Sequence, residues 1–200
     1  MLFNTFSYEN GDKDVYRKDA RGEWQLWVLV RDSVVVTRGG KGLFAARSFA
    51  RKERIGRYVG KILGRAAEPA VKARINRLSS CMNGDAIVDI DGYYVNGRQR
   101  TQSNEKQEEL FGRVIFKQPE WSWPGAFIHL ANDAHGTERT NNCKLSHKGY
   151  MKARKSIPAY DFGKAHVHNA ASELLWSYGD EYWNETNLLG TEKYPIYVNF

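Results

Sequence analysis

Cysteine is scarce in this sequence of 200 residues, and it contains no long apolar run. Cys81 and Cys143 are too few for a disulfide framework or a four-cysteine zinc site, so we expect reduced thiols and no metal. The longest uninterrupted apolar run, Leu26 to Val30, is far shorter than the roughly 18 residues that span a bilayer. The first ten residues lack the basic start and apolar stretch of a signal peptide. These absences predict an intracellular protein without membrane contact.

Acidic residues are outnumbered, with 23 Asp and Glu against 30 Lys and Arg, a formal net charge of +7. The excess is concentrated in residues 47–77, where ten basic residues accompany two acidic ones. Two interpretations stay open. These residues form a solvated surface, or they make non-specific contact with DNA phosphates, since no base-reading motif accompanies them. The apolar share of 42% is ordinary for a globular domain and excludes a disordered chain.

Short β-branched and aromatic segments predict a β-rich α+β domain. Residues 1–23 are polar and are predicted to flank the domain. Trp24 to Val36 is predicted to form two strands joined by a turn at Arg31-Asp32-Ser33, and Leu174 to Tyr178 a last strand. The other predicted elements are strands at Leu43–Ala45, Arg54–Leu63 (one or two), Ala86–Ile90, Tyr93–Val95, Gly112–Phe116, Cys143–Leu145 and Tyr150–Lys152, and helices at Ala66–Leu78 and Pro124–Ala131.

The glycine-rich segment Gly39-Gly40-Lys41-Gly42 lies between two predicted strands. It lacks the Gly-Lys-Ser/Thr of a phosphate-binding P-loop and the third glycine of a dinucleotide-binding fingerprint. It is therefore either a plain hairpin turn, where glycine supplies a positive φ, or a loop that lets a ligand approach the backbone closely.

The segment Glu173 to Trp183 is rich in aromatic residues, and Tyr178 within it is followed directly by glycine. It is either a core strand that runs into an aromatic plug, or the wall of a pocket with a hydroxyl at its base. Nothing in the sequence singles out a catalytic pair of carboxylates, and no nucleophile elbow of a serine hydrolase is present.

Four segments of the sequence together form a recognisable pattern. They are Gly40 to Phe49, Ile55 to Gly60, Phe127 to Cys143 (with Asn132-Asp133 and Asn141-Asn142-Cys143) and Glu173 to Trp183. In order and spacing, these segments resemble the SET-domain family of protein-lysine methyltransferases. The similarity covers roughly residues 28–183, and it implies a SET domain over 24–183 with a tail, 184–200, that closes the site. The family fold consists of several small curved β-sheets with a C-terminal pseudoknot, in which the last motif threads through the preceding loop.

The resemblance implies transfer of a methyl group from S-adenosylmethionine to a lysine side chain. A basic protein in the nucleus, a histone or nucleosome, is the expected substrate. The implied catalytic residues are Tyr178 as the active-site tyrosine, Tyr58 in the lysine channel, and Trp176 where the number of methyl groups is limited. The implied cofactor-binding residues are Gly40, Lys41, Gly42, Asn132, Asp133 and Trp183, the last of them over the adenine.

Three departures from the family pattern matter. Asp133 stands where the family usually has histidine, which either weakens cofactor binding or preserves a backbone contact. Trp176 is bulkier than the usual Phe or Tyr, which predicts a narrow pocket and a low methylation state. Residues 162–172 are an insertion near the expected channel. The alternative to an enzyme is therefore a catalytically silent SET-like module that binds protein or nucleic acid.

Overall fold

The computed structural model of the protein describes residues 3–35, 40–80, 87–96 and 127–179. Within these ranges it is rich in short strands and has one α-helix, α1 (Pro69–Ser80), with two short 3-10 helices, Ile128–Leu130 and His166–Ser172. This agrees with the predicted β-rich α+β class. The strands are β1 (Phe3–Ser7), β2 (Lys13–Lys18), β3 (Trp24–Asp32), β4 (Lys41–Ala45), β5 (Arg54–Arg57), β6 (Lys61–Arg65), β7 (Ile87–Ile90), β8 (Tyr93–Asn96), β9 (Cys143–Leu145) and β10 (Tyr150–Ala153).

The described strands form three small antiparallel sheets. Their strand orders are β1-β2-β3-β4, β5-β10-β9 and β6-β8-β7. One continuous apolar core joins all three, and burial of this apolar surface supplies the main driving force for the fold. Its buried members include Val28, Leu43, Ile55, Ile90, Met151 and Leu174. No helix in the described part of the chain has the length and apolar character needed to cross a membrane.

The N-terminal residues differ from the prediction for 1–23. They contribute β1 and β2: β1 pairs with β2, and β2 pairs with β3 through a register shift between Val15 and Tyr16, so both strands belong to the first sheet. Val15 is buried in the core, and the Phe3 ring packs edge-on against Phe127 at 5.3 Å between ring centres. Only Asp14 and Val15 of the two strands are buried. Their composition therefore stays polar on average, and the sequence did not indicate either strand.

β3 includes Arg31 and Asp32 of the predicted turn and ends there. The second strand predicted up to Val36 is wrong for Val34 and Val35, which lie in no strand, and Val36 lies outside the described residues. The charged end of β3 is held by neighbouring strands, since Arg31 forms an ion pair with Asp14 of β2 and Lys41 of β4 lies 2.7 Å from Asp32. The hairpin connection begins only at Ser33, whose N–H donates to the Gly40 carbonyl at 2.7 Å. Cross-strand ion pairs thus extend a strand that the residue types alone predicted to end early.

Most of the other predicted elements are confirmed. Arg54 to Leu63 forms two strands, β5 and β6, and the predicted helix begins at Pro69. Asp91 and Gly92 both have positive φ between β7 and β8, as a two-residue hairpin turn requires. The predicted helix around residue 128 is only the 3-10 turn. The strand predicted at residues 112–116 lies outside the described residues.

Trp27 links the first two sheets. Its indole N–H donates to the Ile55 carbonyl at 2.6 Å, across from β3 to β5. The guanidinium carbons of Arg17 and Arg47 lie 4.2 and 3.9 Å from the centre of its ring. Arg47 also forms an ion pair with Glu53. This stacking keeps the ring almost fully buried although its neighbours are charged.

Candidate functional site

The segment 173–178 is hydrogen-bonded to β4 and to residues 131–133. The Leu174 N–H donates to the Leu43 carbonyl at 2.7 Å, and the Trp176 N–H donates to the Asn132 carbonyl at 2.9 Å. Isolated bridges pair Glu173 with Phe44 and Leu175 with Asn132. The predicted strand from Leu174 to Tyr178 is thus an extended segment held by single bridges. It brings the glycine, asparagine and tyrosine motifs to one place.

A buried carboxylate, Glu173, is the centre of this contact. Oε1 accepts hydrogen bonds from the Ser33 hydroxyl at 2.7 Å and from the Asn132 amide at 3.2 Å, and Oε2 accepts one from the Val34 N–H at 3.0 Å. Burial raises the pKa of the Glu173 carboxyl above its ordinary value, while these hydrogen bonds act in the opposite direction. In the sequence, Glu173 stood out only as the first residue of the segment Glu173 to Trp183, and its hydrogen-bond partners were not predicted.

Gly42 lies directly against this carboxylate. A Cβ added at Gly42 would collide with Glu173 Oε1 and come within 3.2 Å of the Ser33 Cβ. The glycine is therefore required here for close packing against Glu173, rather than for a positive φ. The hairpin interpretation of the glycine segment agrees with the structure at Gly40, whose carbonyl closes the β3–β4 connection.

Asn132 connects the same carboxylate to the glycine motif. Its amide donates to the Ser33 hydroxyl at 3.0 Å and to the Lys41 carbonyl at 3.2 Å. The Lys41 ammonium is engaged elsewhere, 2.8 Å from Asp12 and 2.7 Å from Asp32. Burial lowers the pKa of Lys41, but these two ion pairs outweigh it and the pKa lies above its ordinary value. Lys41 thus presents its backbone, and not its charge, to Asn132.

Asn142 holds the middle of the segment from the opposite side. Its amide donates to the Glu173 carbonyl at 2.7 Å, and its side-chain oxygen accepts from the Leu175 N–H at 2.9 Å. One buried side chain thus replaces two backbone partners of a strand. The neighbouring Cys143 thiol is buried, and that burial raises its pKa to about 12, so it is not a thiolate nucleophile at neutral pH.

Asp133 is nearly buried and is occupied within the protein. Its Oδ1 accepts from the His135 N–H at 3.0 Å and the Asn141 amide at 2.8 Å, and its Oδ2 accepts from the Tyr178 N–H at 2.8 Å. These hydrogen bonds give the Asp133 carboxylate a structural role, and both interpretations of the departure from histidine stay open. The Asp133 carboxylate fixes the backbone at Tyr178.

Three aromatic rings meet beside this backbone. The Trp176 ring centre lies 5.2 Å from that of Tyr178 and 6.4 Å from that of Tyr58. The Trp176 indole N–H and the Tyr178 hydroxyl both donate to the Ala131 carbonyl at 3.0 Å. Tyr58 and Trp176 are buried, whereas Tyr178 is partly exposed. The structure therefore brings together the three residues that the sequence predicts as catalytic.

Two predicted parts of the site, Trp183 and the tail 184–200, lie outside the described residues. Among the residues that are described, no group of three His, Cys, Asp or Glu side chains is placed to hold a metal ion. The insertion 162–172 ends in the 3-10 helix and is closed by the Asn169 side chain, which accepts from the Asp161 N–H at 2.6 Å and donates to the Asp161 carbonyl at 3.0 Å.

The basic residues of 47–77 lie in the β4–β5 connection, on β5 and β6, and on α1. Arg47, in that connection, stacks on Trp27, and Arg65 of β6 donates to the Tyr93 hydroxyl at 3.1 Å. Arg54 and Arg57 lie beside Tyr150 of β10. A run that is continuous in sequence thus reaches several separate places on the molecule.

Comparison with protein-family models finds no match for this chain, and comparison with curated proteins finds none. A functional interpretation must therefore depend on the geometry of the residues described above and on the resemblance of its motifs.

Proposed function

We propose that this protein is a protein-lysine N-methyltransferase that uses S-adenosylmethionine. The observation that carries the proposal is the convergence of three distant motifs. Asn132 bonds to the Lys41 carbonyl, its own carbonyl accepts the Trp176 N–H, and the adjacent Ala131 carbonyl accepts the Tyr178 hydroxyl. The glycine strand and the late tyrosine are thus both attached to residues 131–132.

The chemistry of these groups suits a cationic ligand. Backbone carbonyls, a carboxylate and aromatic rings surround residues 131–133, and all of them favour a positive charge nearby. When bound, S-adenosylmethionine supplies an electrophilic methyl group on a positively charged sulfur. The residues that would hold it are Gly40 to Gly42 and Asn132, with the backbone of Asp133. Asp133 serves through its backbone because its carboxylate already accepts three hydrogen bonds.

Tyr178 orients the lysine amine in this proposal. Its hydroxyl donates to the Ala131 carbonyl, which fixes the direction of the O–H bond, and a phenolic oxygen can also accept a hydrogen bond from the amine. Accepting that bond aligns the amine lone pair for in-line attack, and alignment is the main requirement of such a transfer. The Asp133 carboxylate, by bonding to the Tyr178 N–H, holds this ring in position.

Tyr58 and Trp176 form the apolar wall of the lysine channel. A lysine has an unperturbed pKa of about 10.4, and only its neutral amine attacks. Buried aromatic surroundings disfavour the charged ammonium and so lower its pKa. The size of Trp176 leaves little space beside the amine, so we propose that the product is monomethyl-lysine. A basic protein tail, a histone in the nucleus, is the proposed substrate.

The second candidate is a catalytically silent SET-like module. The observation that favours it concerns Asp133, which stands in place of the usual histidine. Its carboxylate accepts hydrogen bonds only from within the protein, from His135, Asn141 and Tyr178, in the contacts described above. If Asp133 has become a purely structural residue, cofactor affinity has been lost while the fold was kept.

Calorimetry with S-adenosylmethionine, combined with a tritiated-methyl assay on core histones and nucleosomes, separates these candidates. The enzyme binds the cofactor and labels a histone, and mass spectrometry then gives the methylation state. If the cofactor binds but no histone is labelled, the proposed substrate is a protein other than a histone. No heat and no thermal shift with the cofactor would contradict the proposal and support the silent module.

A further inference from the structure

The outer face of the sheet β5-β10-β9 carries positive charges on neighbouring strands. Lys152 of β10 is paired with Lys144 on one side and, after a register shift between Met151 and Lys152, with Arg54 on the other. Arg54 and Lys144 are exposed and Lys152 is partly exposed, whereas Met151 and Ala153 on the same strand are buried. Since directly opposed side chains have Cβ atoms about 5 Å apart, three cations stand in one row across the sheet.

A second row lies next to the first. Arg57 is paired with Tyr150, and the guanidinium carbons of Arg54 and Arg57 lie 4.6 and 4.9 Å from the centre of the Tyr150 ring. The ring is thus covered by two guanidinium groups. We call the surface formed by Arg54, Arg57, Lys144, Tyr150 and Lys152 the cationic face.

Acidic residues do not neutralise this face from within the three strands, because its outward positions are the four cations and Tyr150. Residues 143–155, which form β9, β10 and their flanks, contain five Lys and Arg and no Asp or Glu. Two carboxylates approach from outside: Asp91 acts on Arg57, and Glu53 is already paired with Arg47. Like charges placed opposite each other destabilise a strand pair. An external anion bound here would reduce this repulsion.

We propose that the cationic face binds the phosphate backbone of duplex DNA. A row of cations on the surface of a sheet can follow successive phosphates without entering a groove. Single-stranded nucleic acid is disfavoured because base stacking needs an open aromatic face, and two guanidinium groups already lie against the ring of Tyr150. A membrane surface is disfavoured because the outward positions of these strands supply no apolar side chain for insertion.

This surface differs from the one that the sequence predicts. Of the basic run 47–77, only Arg54 and Arg57 belong to the cationic face, and Lys144 and Lys152 come from a segment almost 70 residues further along by the numbering. Binding here does not depend on methyl transfer, so the proposal stands or fails separately from the proposed function.

The test measures binding of a labelled random-sequence DNA duplex at increasing salt, without methyl donor. The double variant K144A/K152A removes two contacts, so the slope of log affinity against log salt should fall by about 1.8, about 0.9 for each phosphate contact. The control R21A/K164A removes two exposed charges elsewhere, one in the β2–β3 turn and one in the segment 162–172, and should leave the slope unchanged. K144R/K152R keeps both charges and should bind as the wild type does.

Thermal melting of each variant checks the fold, and K144A/K152A should melt no lower than wild type because it removes opposed like charges. Three results would overturn the proposal: no binding by the wild type, equal slopes for K144A/K152A and R21A/K164A, or tighter binding of single-stranded than of duplex DNA. Loss of binding to phosphatidylserine vesicles, with DNA binding unchanged, would instead assign the face to a lipid surface and overturn the DNA proposal.

Discussion

The buried carboxylate of Glu173 accepts a 2.7 Å hydrogen bond from the hydroxyl of Ser33, 140 residues earlier in the chain. Together with the Val34 N–H and the Asn132 amide, this bond attaches the β3–β4 connection to the segment 173–178. A buried charged acceptor with three donors is a place where a small chemical change has a large effect.

Replacing Glu173 by Gln should destabilise the protein by about 1–3 kcal/mol. The new amide nitrogen must face either the Val34 N–H or the Asn132 amide, and in both cases one buried donor loses its acceptor. Urea unfolding measures the change. The exposed Glu138 gives a matched control, since Glu138→Gln should shift the free energy of unfolding by less than about 0.5 kcal/mol. Equal effects of the two substitutions would contradict this role of Glu173.

The stability that depends on Glu173 should fall as pH rises. Its pKa in the folded protein lies above the ordinary value of 4.5, so the unfolded chain releases this proton first. The contribution of Glu173 is therefore complete below pH 4.5 and is lost as the pH rises through the folded pKa. Urea unfolding of wild type and Glu173→Gln at a series of pH values isolates this contribution, because other carboxyls cancel in the difference. A difference that grows with pH would show that the sign is wrong.

Replacing Gly42 by Ala should destabilise the protein by about 1–3 kcal/mol. The added methyl collides with the Glu173 carboxylate, which cannot move without giving up its donors. Gly163→Ala is the control, because a Cβ there meets only the exposed Asp161 carboxylate at 3.3 Å. Denaturant midpoints of the two variants should differ clearly. If Gly42→Ala also leaves S-adenosylmethionine affinity unchanged, the glycine strand does not hold the cofactor.

Replacing Asp133 by Asn should cost about 1–3 kcal/mol, although the side chain keeps its size. Three donors point at the carboxylate, and an amide can accept at only one of its two positions. Asp19 is an exposed carboxylate that also accepts three hydrogen bonds, from Arg21, Glu23 and Gln25. Asp19→Asn should have a smaller effect, because water replaces the lost acceptor. Similar melting temperatures for the two variants would show that the loss of stability does not depend on the burial of the carboxylate.

Replacing Tyr178 by Phe should reduce methyl transfer by about 100-fold, the cost of a misaligned reacting group, and leave cofactor affinity near wild type. It removes a single hydrogen bond, worth about 1 kcal/mol of stability, while the Trp176 indole still occupies the Ala131 carbonyl. Tyr93→Phe, in a different sheet, should retain full activity. Turnover and calorimetry distinguish the two effects, and near-normal turnover of Tyr178→Phe would refute the assignment of its hydroxyl.

Local sequence patterns predicted those elements whose structure depends only on residues that are close together in the sequence. The β7–β8 hairpin follows from Asp91-Gly92, since few residues accept the positive φ that its turn requires. The first two strands were missed because only Asp14 and Val15 in them are buried, which leaves their composition polar. Predicting the end of β3 would have required knowing that Asp14 and Lys41 lie beside Arg31 and Asp32.

The site was predicted as a set of motifs but not as a network. Resemblance named Asn132, Tyr58, Trp176 and Tyr178, and the structure places these residues in one region. The roles of Glu173 and Asn142 could not be read from the sequence, because their partners are distant along the chain. Spacing within a motif says nothing about which remote donor a buried carboxylate will find.

The position of the segment 173–178 also determines when the molecule can finish folding. During synthesis Ser33 and Gly42 leave the ribosome long before Glu173. Until Glu173 has been translated, the position beside Gly42 lacks the side chain that packs there. Contacts between such distant parts of a chain form slowly, and intermediates that await them expose apolar surface. We expect the nascent protein to need chaperone protection until this late segment has been translated.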